Sequence, residues 1–292
     1  MHKLLLFFLL IIPLLSCNRQ QNTRQISDHR DSIKDTAVEQ DKRMLEREER
    51  DIFYLLDSIC RSRALDDVLN KVYKNRTEKN YYLKYEYSLD TVIGAIEGWS
   101  IPVWFKYGNL FSSAGKHLII SRHSPFYNGA FIDVYKFQDN GLQYLMGINE
   151  RPVVTDTIRD INGDGLKDLD IWWYPMSGCC RRNVHTVFLQ KSDGTFTQEY
   201  EFINPNFYPE EKLVRGVTYG YESQLYKYKW NGLNVDTLEF VFRTAKHADA
   251  EKFEYYRINS KGDTSQIKSI PKEYFDLDDL DSLGAYTYDD ED

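Results

Sequence analysis

The sequence predicts a mainly β, antiparallel protein preceded by an N-terminal helix. Three observations carry that expectation. Apolar spacing is helical between Met44 and Tyr73 and changes to a period of two from about Tyr81 onward. Turn signals of hairpin type recur at Asp139-Asn140-Gly141, Asp193-Gly194, Asn231-Gly232 and Lys261-Gly262-Asp263. Aromatic residues, which suit half-buried strands, make up 15% of the 292 residues. That length admits one large domain or two modest ones.

The first seventeen residues read as an address. Met1-His2-Lys3 is a short basic start, and Leu4 to Leu15 is almost wholly apolar. A twelve-residue helix rises about 18 Å, too little for a hydrocarbon core of ~30 Å. The run closes on Leu14-Leu15-Ser16-Cys17, the pattern of a bacterial lipobox in which the cysteine carries the lipid and becomes the mature N-terminus. Residues 1–17 are therefore expected to be a lipoprotein signal peptide, with Cys17 as the attachment site. Asn18, not Asp, follows the cysteine. By similarity to Gram-negative lipoprotein sorting, this points to the outer membrane, lipid-anchored and facing the periplasm.

Residues 18–43 contain no aromatic and few aliphatic residues, too little apolar surface to offset ordering, so they are expected to form a flexible tether. A helical segment is expected over 44–78. Ile52, Leu55, Leu56 and Ile59 share a face that Leu65, Val68, Leu69 and Val72 continue beyond a break near Arg63. Residues 79–275 carry the period-two pattern. Tyr226, Tyr228 and Trp230 alternate with Lys227 and Lys229, and the change of parity after Asn231-Gly232 calls for a bulge near Asp236 or Thr237. From Asp276 to the end there are eight acids and no Lys or Arg, so most of the net charge of −8 sits there. The tail 276–292 is expected to be disordered. The alternative is that Leu277, Leu280, Leu283 and Tyr286 dock on the body. With an acidic tail and a near-neutral body there is no basic stripe for nucleic acid.

One motif carries specific chemistry. In Asp160-Ile-Asn162-Gly-Asp164-Gly165-Leu166-Lys-Asp168, oxygen side chains recur at positions one, three, five and nine, with glycine at six. That is the front of a calcium loop. Asp160, Asn162, Asp164 and Asp168 would lend side-chain oxygens and Leu166 its carbonyl to a hard cation that takes six to eight. Position twelve is Ile171, not Glu, and strands are expected on both sides (Val153 to Ile158, Leu169 to Tyr174), so the loop is not of the helix-flanked sensor kind. Calcium is the expected cofactor, with a structural role. The alternative is a turn with solvated acids.

Other candidates are weaker. Cys60, Cys179 and Cys180 remain once Cys17 is lipidated. A vicinal bridge, a bridge from one of the pair to Cys60, and free thiols all stay open. Ser113-Ala-Gly-Lys116 has the S-x-x-K form of penicillin-binding enzymes without its companion motifs. There is no G-x-S-x-G and no H-E-x-x-H, and the six histidines show no ligand spacing. No catalytic residue can be named, and the chain is expected not to be an enzyme.

The order of features from Arg159 to Phe242 is similar to that in a family of bacterial envelope lipoproteins with a single FG-GAP-like calcium loop. The resemblance rests on the loop 160–168, then Phe196, Phe202-Ile-Asn204-Pro205-Asn-Phe207, Lys212, and Tyr228-Lys-Trp230-Asn-Gly232. It covers about a third of the chain. Characterised relatives in that family are immunity-type periplasmic inhibitors of peptidoglycan glycohydrolases, with a β-propeller-like fold akin to periplasmic lysozyme inhibitors. The resemblance thus implies a propeller-like or lysozyme-inhibitor-like β domain and a glycohydrolase partner. Such inhibitors insert an S-G-x-x-Y loop into the enzyme. Here Ser177-Gly178-Cys179-Cys180-Arg181-Arg182 begins alike but has Arg181 where Tyr belongs. Ser177, Gly178, Arg181 and Arg182 are the candidate partner-binding residues. The rival readings are a non-inhibitory envelope lipoprotein that binds a glycan or another envelope protein, and a hydrolase with an unrecognised site.

Overall fold

The computed structural model describes residues 28–77, 80–93, 96–113, 115–138, 141–175, 182–220, 222–245 and 253–287. Side chains are described from 43 onward, apart from 90–93, 96–97, 154 and 285–287. The chain divides into two units, Met1–Asp51 and Ile52–Asp292. Cys17, Ser177, Gly178, Cys179, Cys180 and Arg181 lie outside the described residues.

Among the described residues one α-helix, α1, runs Asp28–Lys74, and two short 3-10 turns lie at Lys272–Tyr274 and Leu280–Ser282. The expected tether is therefore helical from Asp28 on, and the expected break near Arg63 is absent. The reason is propagation. No Gly or Pro occurs between Asp28 and Lys74, and each added residue costs little once a packed segment has nucleated the helix. Within the second unit the helix buries Leu56, Cys60, Ala64, Val68 and Val72 completely. This is a strict every-fourth-residue ridge. Leu55, expected on this face, is 51% exposed. The small Cys60 and Ala64 let the helix approach the sheet beneath closely, so that Cys60 Sγ lies 3.8 Å from the Tyr87 carbonyl oxygen and 3.7 Å from that of Trp99. Cys60 is a free thiol, and burial pushes its pKa up to about 11, which makes it inert. No described helix is long and apolar enough to cross a membrane.

The rest is β. Strands β1 (Asn80–Ile93), β2 (Ile96–Gly108), β3 (His117–Ser124), β4 (Gly129–Gln138) and β5 (Gly141–Arg151) form a five-stranded antiparallel meander. Strands β6 (Val153–Arg159), β7 (Asp168–Trp173), β8 (Val184–Phe188) and β9 (Tyr200–Ile203) form a second, four-stranded sheet. The third holds β10 (Pro205–Tyr208), β11 (Leu213–Val217), β12 (Leu225–Asn231), β13 (Asn234–Ala245), β14 (Glu254–Asn259), β15 (Thr264–Ile267) and β16 (Ala285–Thr287). All pairings are antiparallel except that of β16 with β13. Three of the expected turns, at Asp193-Gly194, Asn231-Gly232 and Lys261-Gly262-Asp263, fall where the sequence places them, while Asp139 and Asn140 lie outside the described residues, between the paired Gln138 and Gly141. The bulge is at Leu238, the residue left unpaired between Lys227↔Glu239 and Tyr228↔Thr237. The described sheets are three open units, with no closed barrel or propeller among the described residues.

Alternation sorts side chains into successive apolar layers. On β3, Leu118 and Ile120 face the helix, while Ile119 faces the second sheet with Leu169 and Ile171. On β8, Phe188 joins that layer, while Val187 turns to the third sheet beside Tyr226 and Trp230. Two-sided burial explains the unbroken run Leu118-Ile119-Ile120. A polar cluster locks the helix to the first sheet. Asp57, fully buried, accepts from Arg61 Nε (2.7 Å) and Ser124 Oγ (2.7 Å), and Arg122 bridges the Arg61 carbonyl and Asp133.

The tail corrects the expectation of disorder as far as it is described, to Thr287. Leu277 and Leu283 are buried with Tyr274, Val217, Leu225 and Val241. Strand β12 leaves β13 at Val241, and β16 pairs with β13 at Arg243–Ala245. Arg243 donates to the carbonyls of Gly284 (3.1 Å) and Leu283. Spaced leucines with a strand edge to pair with outweigh the repulsion of surface acids.

Candidate calcium loop and binding cleft

The loop 160–167 connects β6 to β7, and Arg159↔Asp168 closes the pairing. Asp160 accepts from the N–H groups of Gly163 (2.7 Å) and Gly165 (2.8 Å). Asn162 Oδ1 accepts from Asp164 N–H (3.2 Å), and Asp164 Oδ1 from Leu166 N–H (2.8 Å). Asp168 is fully buried and receives Ile161 N–H and Gln190 N–H, both at 2.8 Å. Burial pushes its pKa up to about 7, Asp164 and Asp160 push the same way, and the two N–H bonds oppose them. None of the three carboxylates forms an ion pair among the described residues.

The loop is also a bolt between sheets. Ile161 is buried in the layer under the third sheet, and Asn162 Nδ2 donates to the Gly232 carbonyl (3.2 Å). Gly163 has φ +74, and a Cβ there would lie 2.0 Å from the Pro209 carbonyl oxygen. Among the described residues, no three His, Cys, Asp or Glu side chains are grouped to hold a metal ion. The donors of the loop are nonetheless all oxygens, and they include an amide and a carbonyl. That chemistry suits calcium.

A cleft of about 490 Å³ opens beside the same sheet. Asp170 and Trp172 project from β7 on the parity opposite Leu169 and Ile171, and His185 faces Trp172 across the strand pair. Asp170, 3% exposed, accepts from Arg159 Nη2 (2.8 Å) and pairs with His185 Nδ1 (2.7 Å). Arg159 lies over Phe207 with its guanidinium carbon 5.2 Å from the ring centre. The rings of Trp172 and His185 are nearly parallel, 6.3 Å apart. Trp172 Nε1 donates to Asn183 Oδ1 (3.1 Å), whose Nδ2 donates to Asp279 (3.0 Å). One wall thus comes from the tail.

Asn204-Pro205 makes the corner at which the chain passes from β9 into β10. Asn204 has φ +46, a conformation Asn tolerates better than most residues. Its Oδ1 accepts from Asn183 N–H (2.7 Å). Pro205 opens the edge strand β10, where a missing N–H costs little.

Of the candidate loop residues, only Arg182 is described, and it lies over the ring of Tyr219 at 4.6 Å. Lys116 of the S-x-x-K match donates to the Arg76 carbonyl (2.7 Å) and sits 5.0 Å from the centre of the Tyr107 ring. Ser113, Gly115 and Lys116 are not helical and precede β3, so the described residues of the match lack the helix its chemistry needs. Sequence reasoning missed Asp170, Trp172, Asn183, His185 and Asp279. The parity of Asp170 and Trp172, polar and aromatic positions alternating with Leu169 and Ile171, was the available signal.

No protein-family model matches the chain. No curated protein matches it. A solved structure described as "Structure of a Xanthomonas Type IV Secretion System related protein" matches at 11% identity and a TM-score of 0.31, covering 66% of this chain and 100% of that one. A likeness of that size carries no argument.

Proposed function

We propose that the chain is a calcium-stabilised envelope lipoprotein that acts as a binding module, engaging its partner at the cleft of Trp172, Asn183, His185 and Asp279. The observation that supports this reading is the cleft itself. Aromatic rings are held in place by a buried carboxylate, with amides and carboxylates at their edge, an arrangement suited to polar recognition. Asn183, at the end of the segment 174–183, lines this cleft, and Tyr174 at its start packs edge-on against Trp172. The likeness of this segment to inhibitor loops makes a peptidoglycan glycohydrolase the partner of choice, bound at the outer membrane on its periplasmic side. The propeller-like relation implied by the resemblance belongs to the same proposal.

The deciding experiment measures binding and inhibition of lysozyme-like glycohydrolases by the full chain in mild detergent. Wild type should bind with 1:1 stoichiometry and slow cell-wall lysis. Trp172→Ala should weaken that binding by about 2 kcal/mol or more. No binding to any of these enzymes would sink the inhibitor reading. Calcium has its own test. Saturating calcium should stabilise the protein by about 2.7 kcal/mol at one hundred times Kd. Asp164→Ala should abolish the gain, and a melting curve indifferent to chelator would leave the loop a plain turn.

One observation favours a second reading. Asp170 orients His185 as a carboxylate orients a general base. A hydrolase would release soluble fragments from peptidoglycan, and His185→Gln would stop it.

A further inference from the structure

A second cavity, of about 270 Å³, lies between the first sheet and the turn that follows β8. His117 and Lys136 are directly paired across β3 and β4, and both line it. The opposite wall is Gln190, Lys191 and the turn Asp193-Gly194. Leu166 of the 160–168 loop closes one side. We propose that this cavity is a binding site for a small oxyanion, a carboxylate or phosphate group, and that Lys136, Lys191 and His117 hold it.

Three observations carry the assignment. The first is charge. Lys136 and Lys191 form no ion pair among the described residues. The acid beside them, Asp193, is turned onto its own loop, where one oxygen accepts both the N–H (2.8 Å) and the hydroxyl (2.6 Å) of Thr195. Two ammonium groups therefore face one engaged carboxylate.

The second is an unsatisfied atom. His117 is 1% exposed, and its Nδ1 has no hydrogen-bond partner. A buried polar nitrogen left unpaired is destabilising, and such groups usually mark a missing ligand or water. Burial and the neighbouring Lys136 lower the pKa of His117 to about 4. At neutral pH it is an uncharged imidazole that can donate one hydrogen bond to an anionic oxygen.

The third is room. Gly194 has φ +81, and the Lys136 ammonium sits 3.0 Å from where a Cβ would be. The absent side chain lets that ammonium reach across to the turn. The volume suits a small acid and not a polymer. The ammonium groups argue against a cation. This inference does not depend on the glycohydrolase reading, since the cavity shares no lining residue with the cleft.

The test is calorimetric titration of the full chain in detergent with inorganic phosphate, sulfate and acetate, each to ~10 mM, where a millimolar site would be mostly filled. Saturable binding of at least one anion at a single site is expected. Lys136→Gln and Lys191→Gln should each weaken it about tenfold or more, and Lys229→Gln, an exposed lysine elsewhere, should leave it unchanged. The nitrogen resonances of the His117 ring should shift as the anion is added. Absence of saturable binding would overturn the proposal, and so would binding that survives both lysine changes or leaves His117 unmoved. Melting curves of the variants confirm that each is folded.

Discussion

The five-stranded sheet under the helix and the four-stranded sheet behind it bury charge in opposite ways. In the first, Asp57 pairs with Arg61 and Asp133 with Arg122, whose Nε alone of the group has no partner among the described residues, and together they pin the helix in place. In the second, Asp168 rests on backbone N–H groups, and Asp170 holds Arg159 and His185, two of the side chains that line the cleft. The first arrangement turns its carboxylates onto guanidinium groups that hold the fold. The second leaves imidazole, indole and amide groups at a surface. The difference teaches that a buried carboxylate is a weak guide to function until its partners are known.

The sharpest way to break the second sheet is at its loop. Gly163→Ala would combine a positive φ with a collision against the Pro209 carbonyl, and should cost about 3–5 kcal/mol in urea denaturation. Gly165→Ala carries φ +86 with nothing within 4 Å, so only backbone strain remains, about 1–2 kcal/mol. Equal costs for the two would show that the loop does not bolt the sheets together.

In the first sheet the matching test is Leu56→Ala, which should cost about 2–5 kcal/mol by opening a cavity under the ridge. Leu55→Ala should cost less than about 0.5 kcal/mol. A reversal of the two would mean the helix packs on a different face.

The tail comes next. Leu277→Ala should destabilise the third sheet by about 2–3 kcal/mol. Amide exchange should find Ala285–Thr287 protected by the pairing with β13. Free exchange there, with an unchanged melting curve for Leu277→Ala, would restore the disordered tail.

The last effect is a pH dependence that His123 brings to the first sheet. His123 stacks on Trp104 at 3.9 Å, and burial, assisted by Lys84, lowers its pKa from the ordinary 6.5 to about 4. The fold favours the neutral ring. Its contribution is complete above about 6.5 and is lost as pH falls towards 4, amounting to about 2 kcal/mol after allowance for partial exposure. His123→Phe keeps a ring on Trp104 and should lessen the loss of stability over that interval, leaving the share that His117 contributes. A profile identical to wild type would assign the acid sensitivity to other groups.

By itself the sequence determined the local chemistry. Helical spacing, the change to a period of two, the glycine turns, the bulge within one residue of its expected place and the strand-flanked loop all depend on neighbours within a few positions. Asn204-Pro205 was visible as a motif, and only the structure shows it to be the corner between two sheets. Tertiary structure decided what depends on distant partners. Leu55 was excluded, and Cys60 with Ala64 included, by the close approach of helix to sheet. The tail as far as Thr287 was ordered by leucines that found Tyr274 and a free strand edge, which no local count of charge reveals. The cleft and the lysine-lined cavity arise where strands far apart in sequence bring side chains of the same parity together. Spacing along the chain records which face a residue takes, but only packing chooses what that face will meet.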